Sequence, residues 1–180
     1  TMLQGLGLKP GELPERWNIT HSTDIINIHK SYFDAGSNII CTNTFGANSL
    51  TYGEDELEKI IYAAVENAKT ARKLSDTPQN KFIALDVGPL GKLLKPYGDF
   101  EFEESVRTFA KTISYGAKAG VDLILIETMN DSYETKAAVL AAKENSDLPV
   151  FASNAYSEDG KLMTGASPSA MVAMLEGLEV

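Results

Sequence analysis

Short apolar runs alternate along the chain with longer segments in which apolar residues recur at helical spacing. The runs are Asn38-Ile39-Ile40-Cys41, Lys81-Phe82-Ile83-Ala84-Leu85, Val121-Asp122-Leu123-Ile124-Leu125-Ile126 and Pro149-Val150-Phe151-Ala152. Each predicts a strand buried on both faces, because apolar side chains stand at consecutive rather than alternate positions. Between them, Leu57, Ile60, Ile61, Ala64, Val65, Ala68 and Ala71 share one face of a long helix. Phe102, Val106, Phe109, Ala110, Ile113 and Ala117 do the same on another. The helix ends carry their own signals. Ser22 or Thr23 is predicted to cap a helix running to Ala35, which Gly36 then ends in the left-handed conformation. Asp131 with Glu134 has the form of a capping box, and Ser167-Pro168 sets a cap before a proline in the first turn.

Two stretches repeat one pattern. Ala35-Gly36 and Ala119-Gly120 each end a helix, lead into an apolar strand, and finish on polar groups at Thr42-Asn43-Thr44 and Glu127-Thr128. Strands joined through helices must run parallel, which leaves an open doubly wound sheet or a closed (β/α)8 barrel. The doubly wound reading would want a G-x-G-x-x-G turn after its first strand, and Gly88-Pro89-Leu90-Gly91 does not supply one. The α/β class with a TIM-type barrel is therefore expected.

Composition narrows the function. The 180 residues suffice for one sizeable core, and 43% hydrophobic with 23% charged residues excludes a disordered chain. A net charge of -9, with 16 basic residues scattered among 25 acids, excludes a nucleic-acid surface and favours a small-molecule partner. No apolar run approaches the ~18 residues that span a bilayer. The opening Thr1-Met2-Leu3-Gln4-Gly5 lacks a basic-then-apolar signal, so the cytoplasm is the default expectation. The single cysteine, Cys41, excludes an internal disulfide and any site of several cysteines in this stretch.

Parallel α/β folds bind ligands at the carboxyl ends of their strands, so the polar residues that end the apolar runs are the candidates. They are Thr42-Asn43-Thr44-Phe45-Gly46-Ala47-Asn48, Asp86-Val87-Gly88-Pro89-Leu90-Gly91, Glu127-Thr128-Met129-Asn130-Asp131 and Ser153-Asn154-Ala155-Tyr156. Glu127 follows a six-residue apolar run. A poorly hydrated carboxylate there needs a cation, either a loop Lys or Arg or the ammonium of a ligand. Asp86 reads equally as a bracket for the next turn. Gly88-Pro89-Leu90-Gly91 reads as a turn, with anion binding by its amides the lesser alternative. Cys41 reads as a small core residue, and His21 and His29 as helix residues with no metal role, since the three show no ligand spacing. The acids of Glu54-Asp55-Glu56 and Glu101-Phe102-Glu103-Glu104 read as solvated helix starts.

The strings Pro14-Glu15-Arg16-Trp17-Asn18, Thr42-Asn43-Thr44-Phe45-Gly46-Ala47-Asn48, Ile126-Glu127-Thr128-Met129 and Lys136-Ala137-Ala138 resemble those of homocysteine S-methyltransferases. Within that family they are most similar to the homocysteine-binding barrel of cobalamin-dependent methionine synthases, from Thr1 to Leu162-Met163-Thr164-Gly165 and the helix beyond. The resemblance implies a TIM barrel that transfers a methyl group from methylcobalamin to the zinc-bound thiolate of homocysteine, giving methionine. It also implies that Glu127 takes the homocysteine ammonium, with Asn43 and the Thr44, Phe45 and Gly46 backbone beside it and Asp86 as a wall residue.

In that family the zinc cysteines follow the sixth and eighth strands, and an Asp-Gly pair on the first strand precedes a string like Thr1-Met2-Leu3. Residues 1–180 are thus expected to form a single incomplete barrel domain, holding strands two to five and helices one to five. The zinc ligands would lie outside it, as would the cobalamin and folate modules, and the 180 residues alone would neither hold zinc tightly nor turn over homocysteine. Two alternatives stand: an enzyme using betaine or S-methylmethionine as donor, and a fragment with no catalysis of its own.

Overall fold

The computed structural model describes residues 2–180; Thr1, where the resemblance begins, lies outside them. Helices α1 (Met2–Gly5), α2 (Trp17–Thr20) and α3 (Ser22–Asp34) lead into strand β1 (Ile39–Cys41). Helix α4 (Glu54–Leu74), β2 (Phe82–Val87), α5 (Phe102–Ala119), β3 (Leu123–Met129), α6 (Ser132–Asn145), β4 (Val150–Asn154) and α7 (Pro168–Gly177) follow in strict alternation. The four strands form one sheet in the order β1-β2-β3-β4, and every adjacent pair is parallel. The strand starts fall within two residues of the expected ones. An unreversed strand order has no switch point of the kind that marks doubly wound sheets, so the sheet is a segment of a barrel wall.

The register sorts side chains onto two faces. Ile40, Ile83, Leu85, Ile124 and Ile126 point to the helices and are at most 5% exposed. On the other face Ile39, Phe82 and Phe151 are 42%, 43% and 49% exposed. The expectation of strands buried on both faces holds for the middle of the sheet, where Ala84, Asp86 and Leu123 on this face are buried too, and is corrected at Ile39, Phe82 and Phe151, which lie open.

Helix α4 buries the seven apolar residues expected of it, each 0% exposed. Helix α5 is partly rotated from its expected face: Phe109 and Ile113 are buried as expected, but Phe102, Val106, Ala110 and Ala117 are half-buried, whereas Ser105, Thr108, Thr112 and Gly116 are buried. Small residues win because the helix comes close to β2. A Cβ on Gly116 would stand 2.5 Å from the Leu85 side chain.

Helix ends only partly follow the sequence signals. Gly36 and Gly120 take φ of 100° and 86°, ending α3 and α5 alike. Ser167 caps α7 by accepting the Ala170 N–H at 3.3 Å. The cap position of α3, however, is His21 with no side-chain bond, and the Ser22 hydroxyl instead donates to Asn67 Oδ1 at 2.6 Å. The acids of α4 are exposed but not merely solvated: Glu56 accepts from Arg16 Nε at 2.7 Å, and Glu54 pairs with Lys111. At the opposite end of the sheet, Asp122 Oδ2 accepts from Arg72 at 2.8 Å and from the Ile83 N–H at 2.7 Å, tying α4 to β2 and β3.

Candidate functional site

At the carboxyl ends of the strands, β1 presents Cys41-Thr42-Asn43, β2 presents Asp86, and β3 presents Glu127. Asp86 pairs with Leu125 across the ladder, and Glu127 stands two residues on, so both carboxyls lie on the inner face. They stand close enough for the Glu127 charge to act on Asp86. Burial, then the Glu127 charge, holds the Asp86 carboxyl well above the usual carboxylate range, so this is the member of the pair that keeps the proton. Among the described residues neither acid lies within ion-pair distance of a Lys, Arg or His. A brace through a loop Lys or Arg, one of the two readings open for Glu127, has no such partner here.

Asp86 Oδ1 is buried without a hydrogen-bond partner, and Asp86 lines a cavity of about 460 Å³ beside β1. His29, Cys41, Thr42 and Asn43 also line it, while Glu127 lies outside its lining. Cys41 is half-buried rather than fully buried as expected. Its thiol is pushed up to about 12, chiefly by burial and then by the neighbouring acid pair, which makes it a poor nucleophile near neutral pH. His29 is buried in α3 with Nε2 unpartnered, and burial lowers its pKa to about 4, so the ring is neutral. His21 is remote from this chemistry, stacked on Trp17 with centroids 3.9 Å apart.

The loop after β1 is held by residues for which the sequence suggested no role. Glu15 is 3% exposed; its Oε1 accepts the Gly46 N–H at 2.7 Å and its Oε2 accepts the Tyr52 hydroxyl at 2.8 Å. A Cβ on Gly46 would stand 2.8 Å from Glu15 Oε1, so this approach requires glycine. Asn43 Nδ2 donates to the Pro14 carbonyl at 2.8 Å, and Asn18 Nδ2 donates to the Asn43 carbonyl at 2.7 Å. Thr44 Oγ1 bonds Thr42 Oγ1 and donates to the Asp86 carbonyl, both at 2.7 Å. The Phe45 carbonyl accepts the Gly88 N–H at 3.1 Å, leaving the Phe45 ring 43% exposed. Asn43, Thr44, Phe45 and Gly46 are therefore gathered beside Asp86, but the Asn43 amide and the Gly46 N–H are already committed within the chain.

The Gly88–Gly91 segment, expected as a turn, is extended chain after β2 with a bend at Gly91 and no hydrogen bond closing it. Two of its amides are taken within the chain: Gly88 donates to the Phe45 carbonyl, and the Leu90 N–H donates to Glu134 Oε1 at 2.7 Å. The expected capping box at α6 is corrected accordingly. Asp131 caps by accepting the Tyr133 N–H at 2.8 Å, but Glu134 turns away to the Leu90 amide.

Burial raises the Glu134 pKa to about 7 against the opposing Leu90 bond. In the unfolded chain the same group loses its proton near 4.5. The folded state then holds the extra proton in between, so the contribution of Glu134 to stability is present at low pH and lost as pH rises from about 4.5 to 7. The loss is of the order of 3 kcal/mol. Glu134→Gln keeps an acceptor for Leu90 and does not titrate, so its melting temperature should rise relative to the parent across that window. A difference that does not change with pH would contradict this.

A zinc site of three thiolates does not fit these residues. Cys41 is the one cysteine, its thiol resists ionisation, and no group of three or more His, Cys, Asp or Glu is placed to hold a metal among the described residues.

A sequential parallel sheet with helices on one face, and acids at its carboxyl ends, defines a segment of a (β/α)8 barrel with its site where such barrels bind ligands. The whole chain, residues 1–180, matches the family described as homocysteine S-methyltransferase. The chain belongs to that family, as its motifs implied. It is 30% identical over 173 residues to methionine synthase from Mycobacterium leprae, and 29% identical over 173 residues to that from Mycobacterium tuberculosis. Both alignments cover 91% of this chain, which spans about 14% of the length of either relative. The fold is shared with the homocysteine methyltransferase MmuM from Escherichia coli. Its metallated form superposes with a TM-score of 0.83 at 21% identity, over 98% of this chain and 67% of that one. The apo form gives 0.81 at 22% identity, over 98% and 64%.

Proposed function

We propose that this chain supplies the amino-acid-recognition part of a homocysteine S-methyltransferase of the methionine synthase kind. The observation that carries it is the Asp86–Glu127 pair, two neighbouring carboxyls at adjacent strand ends with no cation beside them among the described residues. A pair sharing one proton carries a single negative charge, which an α-ammonium complements. Asn43, Thr44, Phe45 and Gly46 frame the site from the neighbouring strand, and homocysteine is the amino acid on which the family acts. The methyl donor, methylcobalamin in this reading, and the zinc would be held outside residues 1–180, with cobalamin and folate modules as partners and the cytoplasm as location. The methionine synthase relatives favour this donor over betaine or S-methylmethionine.

An arriving ammonium stabilises the ionised pair and should expel its shared proton. Titrated calorimetrically with L-homocysteine at pH 7, in buffers of different ionisation enthalpy, the full-length protein should release more protons than its Asp86→Asn variant. The excess should approach about one per site. Equal release from the two proteins would contradict the shared-proton site.

A further inference from the structure

Strand β3 is irregular where it reaches the site. Ile126 pairs with Ala152 and Met129 with Asn154, so three steps on β3 match two on β4, and one residue is extra. The irregularity falls on Glu127 and Thr128, and it returns Met129 to the buried helix side at 0% exposure. Thr128 takes a φ of 59°, a left-handed conformation that glycine adopts freely and a β-branched residue adopts only with strain. Its N–H donates to Ser153 Oγ at 3.2 Å, but its side chain is exposed, and its hydroxyl takes no hydrogen bond among the described residues. A side chain kept where glycine would relieve strain, unpaired and next to Glu127, calls for a partner outside the chain.

We infer that Thr128 is a second anchor for the amino-acid substrate, its hydroxyl donating to the α-carboxylate while Glu127 takes the α-ammonium. The two substrate groups hang from one carbon, and the two side chains are consecutive at a bulge, where the strict alternation of faces is broken. The inference rests on the homocysteine reading of the site.

Three variants of the full-length protein test it: Thr128→Gly, Thr128→Ser and Glu127→Gln, by calorimetric titration and thermal melting. Thr128→Gly should raise the melting temperature and weaken L-homocysteine binding about tenfold, the loss of one hydrogen bond to a charged group. Thr128→Ser should restore the affinity. The carboxylate-free analogue 3-mercaptopropylamine should bind the parent and Thr128→Gly equally. Undiminished affinity in Thr128→Gly, with a loss in Glu127→Gln, would overturn the Thr128 role and leave the ammonium site standing. Loss of melting temperature together with affinity would overturn it as a folding effect. A tenfold loss for the analogue as well would overturn the assignment to the carboxylate. No loss in either the Gly or the Gln variant would overturn both readings.

Discussion

Glu127→Gln should weaken L-homocysteine binding by about 10–150-fold, the value of a charge-assisted hydrogen bond of about 1.5–3 kcal/mol. The amide fits the same space at the end of β3 but carries no charge for the ammonium. Stability should not fall. Glu127 has no cationic partner among the described residues, and its charge helps keep Asp86 from ionising. Removing it relieves a like-charge contact and lets Asp86 ionise at lower pH. A Glu127 that merely braced a loop would behave oppositely, with a lower melting temperature and unchanged affinity. Titration and melting on the same two proteins separate the cases.

Glu15→Ala should cost about 3–5 kcal/mol of folding stability, a larger effect than any exposed ion pair of the chain would give. The carboxylate is 3% exposed and accepts from both the Gly46 N–H and the Tyr52 hydroxyl. Its loss strands two buried donors and leaves a void beneath the Asn43–Asn48 loop. Tyr52→Phe, which gives up only one bond, should cost about 1 kcal/mol. Denaturant unfolding measures both, and a Glu15→Ala cost no larger than that of Tyr52→Phe would contradict this account of the loop.

Local patterns carried most of the fold. The four apolar runs are strands because nothing but a sheet buries so many consecutive Ile, Leu and Val residues between helices, and α4 shows its buried face because the sheet accepts large side chains along it. Helix α5 misled for the converse reason. Where the helix closes to Gly116 and Leu85, small residues join Phe109 and Ile113 on the buried face, and Phe102 and Val106 lie at its flank. Burial on both faces was inferred from consecutive apolar positions, a pattern that holds at Ala84 and Leu123 but does not reveal that Ile39, Phe82 and Phe151 lie open on the inner face.

Candidate residues were legible wherever position along a strand decides them, as for Asp86 and Glu127. Glu15 was not. It stands 31 residues from Gly46, in a string that carried the family resemblance but no role of its own, and only the folded chain brings it under the loop. Glu134 had a local partner by pattern and took a distant one, 44 residues away at Leu90, because the strand ends crowd that segment against α6. The bulge at Thr128 has no signal in its residue type, since glycine would be the expected occupant of that conformation.

The most direct test crosses the acid with the ammonium: L-homocysteine and its des-amino analogue 4-mercaptobutyrate are each titrated into the full-length protein and into Glu127→Gln. The account predicts that the parent prefers L-homocysteine by about tenfold or more and that the variant binds the two nearly alike, a coupling that belongs to the pair of groups. A preference of the same size in both proteins would contradict it.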